Sequence, residues 1–196
     1  MQSAFLLCGF PRSGLYWLSR FFSVPHRSIC LCDGLSRATS AEDFWRMAED
    51  LCTRSGIDYF GNAELLNLQL MEALLALRPM TRVIWIKRKM EDSLRAAEAA
   101  GYRIDARLWQ GMVVYIERHI GLVDWFIPFE KLNDQATMEE LWQKVLPTVS
   151  WNQRRWEAFA GKRIVCNPAR IINTDSSRLA RFLNAELEPI ILPPLD

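Results

Sequence analysis

The 196-residue chain has almost no net charge, only two histidines, and no apolar run long enough to cross a membrane. Its 24 Lys and Arg side chains are balanced by 23 Asp and Glu, so it lacks the general basic footprint of a nucleic-acid-binding protein. The N-terminus also lacks the basic region and cleavage-site pattern of a secretory signal. We therefore expect a cytoplasmic protein with neither a nucleic-acid nor a membrane partner.

Cysteine is present in an odd number, five, without the spacing of a disulfide framework. Cys30 and Cys32 are two residues apart on an expected strand and would share one side of it. With only His26 and His119 as further ligands and no second cysteine pair, the sequence favours free thiols over a zinc site. We expect no metal, and a reducing environment.

Half of the residues are apolar and about a quarter are charged, as in ordinary globular proteins, and the length fits one domain, 1–196. Expected strands alternate with expected helices, which predicts an α/β fold: three αβα layers around a central parallel sheet of four to five strands. The strands are expected at 5–8, 28–32, 82–88, 123–129 and 164–166. The helices are expected at 15–22, 41–52, 62–77, 90–100, 105–120, 137–146, 152–160 and 176–184.

The first apolar run, Phe5 to Cys8, leads into a short loop between Gly9 and Gly14, and a helix is expected from Leu15. A run of this kind is typical of a strand buried on both faces. A loop that opens a helix after such a strand presents unpaired backbone N–H groups at the positive end of the helix dipole. The pattern therefore predicts an anion site.

The spacing of Gly9 and Gly14 matches the motif G-x-x-x-x-G-K-[ST], but the end of the motif is absent. Leu15 stands in place of the lysine, and Tyr16 in place of the hydroxyl residue that would hold Mg²⁺. The basic residue lies inside the loop instead, at Arg12. An ordinary magnesium–nucleoside-triphosphate site is therefore weakly supported.

The run Pro11-Arg12-Ser13-Gly14, followed by Trp17 and Leu18, resembles the 5′-phosphosulfate loop of the sulfotransferases, commonly Pro-(Lys/Arg)-Ser-Gly-Thr-Thr-Trp-Leu. The resemblance implies a P-loop NTPase-like fold and 3′-phosphoadenosine-5′-phosphosulfate (PAPS) as sulfuryl donor, with PAP as product and no metal. It also implies that Arg12 neutralises the leaving phosphate and is a catalytic residue. The implied donor-binding residues are Gly9, Pro11, Arg12, Ser13, Gly14, Leu15 and Tyr16.

A second segment resembles the part of sulfotransferases that binds the 3′-phosphate of the donor: a strand, then Arg-Asp-Pro-x-Asp, with a Ser eight residues after the Arg. Arg88 matches the Arg and Asp92 the second acid, whereas Lys89-Met90 departs from the pattern. The Ser position is occupied by Ala96, and a serine lies at Ser93 instead. The resemblance implies that Arg88 and Ser93 bind the 3′-phosphate.

A third segment, Phe129-Glu130-Lys131-Leu132, occupies the place of the family's Tyr-Glu-Asp-Leu run between a strand and a helix. It extends the resemblance to about Leu146. This run is structural in the family and carries no catalytic role.

The general base of sulfotransferases is a His or a Glu, and many carbohydrate-directed members place an acid after the second strand. Asp33 is the residue at that place here. Ligands of open α/β sheets bind outside the carboxyl ends of strands, which suits such a position. Asp33 is the expected general base, with a plain turn residue before Gly34 as the alternative.

The first hypothesis is a PAPS-dependent sulfotransferase that transfers a sulfuryl group to a hydroxyl or amine of a small-molecule or carbohydrate acceptor. Leu15, Tyr16 and Ala96 replace three hydroxyl residues of the family, and each lost hydrogen bond to a charged group is worth about 1.5–3 kcal/mol. Two alternatives remain open: a catalytically degenerate binding or assembly protein, and a P-loop nucleotide kinase. The oligomeric state is not indicated.

Overall fold

The computed structural model describes residues 1–10, 12–32, 34, 38–64, 67, 70–99, 113–114, 117–164 and 191–192. Five parallel strands form the central sheet in the order β2-β3-β1-β4-β5. The strands are β1 (Ser3–Gly9), β2 (Ser28–Cys32), β3 (Tyr59–Ala63), β4 (Arg82–Lys87) and β5 (Trp125–Pro128). The strand β1 therefore lies at the centre of the sheet, between β3 and β4.

In the described ranges, six helices whose two ends are both described and two short 3₁₀ segments accompany the sheet. The helices are α1 (Leu15–Phe22), α2 (Ala41–Ser55), α3 (Met71–Leu77), α4 (Met90–Glu98), α5 (Gln135–Val145) and α6 (Gln153–Phe159). The 3₁₀ segments are Ile120–Leu122 and Phe129–Asn133. Residues 113–114 and 117–119 are also helical, whereas the rest of the helix expected at 105–120 lies outside the described residues. Within the described part of the chain, no helix is long and apolar enough to span a membrane.

The sheet is covered on both faces, because alternate residues of each strand point in opposite directions. On one face, Leu6 of β1 and Phe60 of β3 pack in a core with residues of α2 and α3. On the other face, Leu7 of β1 and Ile84 of β4 pack in a second core with residues of α1, α5 and α6. The predicted α/β class, with three layers around a parallel sheet of four to five strands, is confirmed.

The helix expected at 62–77 is wrong at its start, because Asn62 and Ala63 belong to the strand β3; among the described residues of this range, the α-helix covers Met71–Leu77. Gly61 lies within β3, where a Cβ atom would lie 2.3 Å from the ring of Phe5. The glycine thus permits the close packing of a fully buried strand. Among the leucines in and beside α3, Leu74 is fully buried, whereas Leu70 and Leu77 are 38% and 45% exposed.

The remaining expectations differ from the structure mainly at element ends. The strand expected at 123–129 is the shorter β5, and the strand expected at 164–166 begins as Arg163–Ile164 (β6), which pairs antiparallel with Ile191–Leu192 (β7). The helix expected at 176–184 lies outside the described residues. Among the described residues, four cysteines form no disulfide: Cys8, Cys30, Cys32 and Cys52.

Candidate anion-binding site

The loop after β1 begins with a tight turn around Ser13. The Ser13 side chain is fully buried, and its Oγ donates a hydrogen bond to the Phe10 carbonyl at 2.5 Å. The Ser13 backbone N–H donates to the same oxygen at 3.1 Å. A Cβ atom on Gly9 would lie 3.2 Å from the Ser13 Cβ and 3.3 Å from the Ile86 carbonyl, so glycine lets the loop fold close to β4.

The loop ends at Gly14, which is the N-cap of α1 and has φ 78°, in the left-handed region. A Cβ atom there would lie 2.9 Å from Leu132 Cδ1, so both the backbone angle and the space require glycine. Glycine has no side chain to accept from the first N–H groups of α1, and no acidic residue lies in the first turn. The positive end of α1 thus faces the loop without a carboxylate of its own.

Arg12 carries the positive charge of this loop, and its backbone conformation is unusual. Its φ is 67°, which places a non-glycine residue in the left-handed region. Backbone angles of this kind are concentrated at ligand sites, where the surrounding structure maintains them. Pro11 lies outside the described residues, so the structure does not test its expected role.

Arg88, which follows β4, reaches the same loop: its guanidinium donates a hydrogen bond to the Arg12 carbonyl. The guanidinium also lies 4.3 Å from the centroid of the Phe129 ring. Burial lowers the pKa of Arg88, and the positive charge of Arg12 acts in the same direction, whereas Asp92 and Glu130 oppose it. Two arginines that the sequence separates by 76 positions therefore meet at one loop.

Ser93 lies in the first part of α4, five residues after Arg88, and is fully buried. Its Oγ has no hydrogen-bond partner among the described residues, which is uncommon for a buried hydroxyl. Ala96, at the position of the family's serine, is only partly buried. Asp92 pairs with Arg95 of the same helix at 2.5 Å. Ser93 thus has a buried hydroxyl that could bind a partner, and it lies close to Arg88 in the chain.

Leu15 and Tyr16, the two positions where the family has threonines, are half-buried. The Leu15 side chain packs against the core that α1 shares with α5 and α6, and offers no hydrogen bond. The backbone carbonyl of Tyr16 accepts from Ser19 Oγ at 2.8 Å. Both the hydroxyl and the backbone N–H of Ser13 donate to the Phe10 carbonyl, so the described part of this loop can offer an anion the Arg12 guanidinium and the backbone N–H groups at the start of α1.

A buried polar cluster at the carboxyl end of β3 was missed by the sequence reasoning. It consists of Asn62, Glu64 and Asn67, which are 0%, 3% and 0% exposed. Asn62 Nδ2 donates to Glu64 Oε2 at 3.2 Å and to Asn67 Oδ1 at 2.8 Å. The signal in the sequence is the aromatic pair Tyr59-Phe60 followed within four residues by an amide and an acid. The assignment of a helix to this segment concealed it.

Cys8 and Gly34 also contact this polar cluster at the carboxyl edge of the sheet. The Cys8 thiol, at the end of β1, is fully buried; burial raises its pKa, and a hydrogen bond with Asn67 acts in the opposite direction. A thiol of this kind stays protonated and is a poor nucleophile. Asp33, the expected general base, lies outside the described residues, although the N–H of the next residue, Gly34, donates to Asn62 Oδ1 at 3.0 Å.

No known protein-family profile and no curated protein sequence matches this chain significantly. Among solved structures, the chain is similar to shikimate kinase from Bacteroides thetaiotaomicron, with a TM-score of 0.46 and 11% sequence identity. The likeness covers 74% of this chain and 98% of the kinase chain. At this identity and TM-score, it supports no assignment of substrate or reaction.

Proposed function

We propose that the protein is a P-loop-type sulfotransferase, which binds PAPS through the loop after β1 and transfers its sulfuryl group to a hydroxyl or amine of a small-molecule or carbohydrate acceptor. The observation that carries the proposal is the hydrogen bond from Arg88 to the Arg12 carbonyl. It joins the two segments that resemble the donor-binding parts of sulfotransferases. A nucleotide with phosphates at both the 5′ and 3′ positions needs a cationic group for each, and the hydrogen bond brings Arg12 and Arg88 to the same loop.

The donor set of the loop suits a transfer without a metal. In the transfer, the acceptor oxygen or nitrogen forms a bond to sulfur while the bond between sulfur and the 5′-phosphate oxygen breaks, and PAP leaves with the added negative charge. The Arg12 guanidinium and the backbone N–H groups of Gly14 and Leu15 would stabilise that charge, whereas the Ser13 N–H already donates to the Phe10 carbonyl. Arg88 and Ser93 would hold the 3′-phosphate.

A second candidate, a binding or assembly protein that retains the fold without turnover, is favoured by one observation. The only hydroxyl of the loop's Pro-Arg-Ser-Gly run, Ser13 Oγ, donates its proton to the Phe10 carbonyl. Together with the apolar Leu15, this leaves the leaving phosphate with fewer donors than the family provides. Such a protein would bind PAP but release no sulfate from PAPS.

The test is isothermal titration of the purified protein with PAP and, separately, with ATP plus Mg²⁺. We expect PAP binding, and about 10- to 100-fold weaker binding by Arg12→Ala and Arg88→Ala, since each variant removes a hydrogen bond to a charged group. Arg46→Ala, an exposed arginine paired with Asp43 on α2, is the matched control and should bind normally.

Other results of these titrations would support different conclusions. No binding of PAP at millimolar concentration would contradict the proposal. Binding of Mg–ATP without binding of PAP would favour the nucleotide kinase instead. Binding of PAP by a protein that releases and transfers no sulfuryl group from PAPS would favour the binding or assembly protein.

A further inference from the structure

The peptide group between Arg12 and Ser13 is hydrogen-bonded at both of its ends. Its carbonyl, that of Arg12, accepts from the Arg88 guanidinium, and its N–H, that of Ser13, donates to the Phe10 carbonyl at 3.1 Å. Because a peptide group is planar and trans, its C=O and N–H point in opposite directions and turn together. The two bonds therefore fix the orientation of the whole group, and one of them comes from a side chain that follows β4 rather than from the loop itself.

Arg12 needs this support because its backbone conformation is unfavourable. Its φ of 67° puts the Cβ atom close to a backbone carbonyl oxygen, and residues other than glycine rarely adopt such an angle. Conformations of this kind persist where the surrounding structure fixes them. The bond from Arg88 is charge-assisted, and therefore stronger than a bond between neutral groups, and it acts on the carbonyl of the strained residue itself.

Arg88 is held at this place by two features that need no ligand. It directly follows β4, which pairs with β1 so that Ile86 lies beside Gly9 at the start of the loop. The Phe129 ring lies against its guanidinium. A guanidinium has five N–H donors, so the bond to Arg12 leaves others for a second acceptor. Arg88 can therefore hold the loop and a phosphate at the same time.

We propose that Arg88 is a positioning residue of the loop as well as a ligand of the donor's 3′-phosphate, an inference that rests on the proposed sulfotransferase function. Its hydrogen bond holds the peptide group between Arg12 and Ser13 in the orientation in which the loop binds the 5′-phosphate. One guanidinium thus serves both ends of the nucleotide. The two phosphate sites are coupled, because a 3′-phosphate bound to Arg88 fixes the side chain that fixes the loop.

The experiment separates the two roles of Arg88 with two ligands. Isothermal titration measures the affinity for PAP and for adenosine 5′-phosphate, which has no 3′-phosphate for Arg88 to bind. Arg88→Met removes both the donors and the charge. Lys89→Met, the matched control, removes an exposed charge of the same sign one residue later, where the side chain makes no capping bond to α4. Arg88→Lys keeps the charge without the planar set of donors.

We expect Arg88→Met to bind adenosine 5′-phosphate about 10-fold more weakly than Lys89→Met does, since the loop loses a hydrogen bond from a charged group. Arg88→Lys should recover part of the affinity for PAP through its charge, and much less of the affinity for adenosine 5′-phosphate. Equal affinities of Arg88→Met and Lys89→Met for adenosine 5′-phosphate would show that Arg88 acts on the 3′-phosphate alone, and would overturn the inference.

Amide hydrogen exchange at Ser13, measured by NMR on the ligand-free protein, tests the loop directly. The Ser13 N–H should exchange about 10-fold faster in Arg88→Met than in Lys89→Met, while the amide of Leu7 in β1 exchanges equally in both. Equal exchange at Ser13 in the two variants would overturn the positioning role. Faster exchange at both amides in Arg88→Met would also overturn it, because that result indicates a general loss of stability.

The failure of the inference is distinguishable from the failure of the proposed function. If the wild type binds PAP, and Arg88→Met differs from Lys89→Met only in its affinity for PAP, the positioning role is wrong and the sulfotransferase proposal stands. If the wild type does not bind PAP, the sulfotransferase proposal and the coupling of two phosphate sites are both wrong, whatever the exchange at Ser13.

Discussion

The guanidinium of Arg88 lies 4.3 Å from the centroid of the Phe129 ring and donates to the Arg12 carbonyl. The 3₁₀ segment that begins with Phe129 also packs against Gly14, through Leu132. One aromatic ring thus supports Arg88, and the same segment closes the end of the loop. The segment Phe129–Asn133 therefore contacts the candidate site through both Phe129 and Leu132.

Phe129→Leu should weaken PAP binding by about 2- to 5-fold, because a partly exposed cation–π contact contributes about 0.5–1 kcal/mol and leucine cannot supply it. Arg88 would remain charged but would be less well held against the loop. Titration with PAP measures the effect. Phe126→Leu, an exposed ring on β5 that is 41% exposed, is the control and should bind normally. Unchanged affinity in Phe129→Leu would show that the ring does not position Arg88.

The loop after β1 could be predicted from the sequence because all its signals are local. The apolar strand, the two glycines, the basic residue and the helical spacing lie within 18 residues, and Arg12 and Gly14 are where that pattern places them. The contacts between this loop and distant parts of the chain could not be predicted in the same way. The contact of Arg88 with Arg12 depends on β1 and β4 being adjacent, and strand order is set by tertiary packing rather than by local pattern.

The strand β3 and Glu64 could not be predicted in the same way. Only five residues form β3, with Gly61 and Asn62 among them, and both types are uncommon in strands. Burial between β1 and β2 outweighs that weak preference, because the Phe5 ring fits only against a glycine. The leucines that follow repeat with helical spacing, which favoured the longer helix. The residues of the polar cluster are close together in the sequence, but their burial depends on the packing of this segment against the end of β1, which no local pattern shows.

Gly14→Ala should lower the free energy of unfolding by about 2–4 kcal/mol and greatly weaken PAP binding. A left-handed backbone costs a non-glycine residue about 1–2 kcal/mol, and the contact with Leu132 Cδ1 adds to it. Gly56→Ala is the matched control: its φ is also positive, 62°, but no atom lies within 4 Å of the added Cβ. In denaturant unfolding, Gly56→Ala should lose less unfolding free energy than Gly14→Ala, and it should bind PAP normally. Equal losses of unfolding free energy in the two variants would argue against a contribution from the contact with Leu132 Cδ1.

Arg155 of α6 should be important for stability rather than for anion binding. Its guanidinium donates to the carbonyls of Arg20, Phe21 and Ser23 at 2.6–2.7 Å, at the end of α1. Burial lowers the pKa of Arg155 to about 10, with the charge of Arg20 acting in the same direction, so the side chain is still cationic at neutral pH.

Arg155→Ala should therefore cost about 2–4 kcal/mol of unfolding free energy, because buried carbonyls lose charged partners. Arg155→Lys should recover less than half of it, since an ammonium group cannot reproduce the planar set of donors. Arg154→Ala, the exposed neighbour, is the control for urea unfolding. A lysine variant as stable as the wild type would contradict the role of the guanidinium geometry.

Asp134, the N-cap of α5, should make stability depend on acidity. Hydrogen bonds from the Thr137 side chain, at 2.6 Å, and from its backbone N–H, at 3.0 Å, lower the pKa of Asp134 in the folded state. The unfolded chain therefore binds the proton more readily, so the stabilisation is present above the unfolded-state pKa of about 4 and is lost as the pH falls through the lower, folded-state value.

Melting temperatures of the wild type and Asp134→Asn should accordingly differ by a constant amount above about pH 5, and the difference should shrink below about pH 4. Asparagine can still accept from Thr137, so the variant keeps a cap and lacks only the charge. Thr137→Ala removes the largest cause of the shift, the side-chain hydroxyl, and should make the acid dependence of the wild type shallower. If the difference between wild type and Asp134→Asn is unchanged down to about pH 2, the carboxylate does not contribute its charge to the cap of α5.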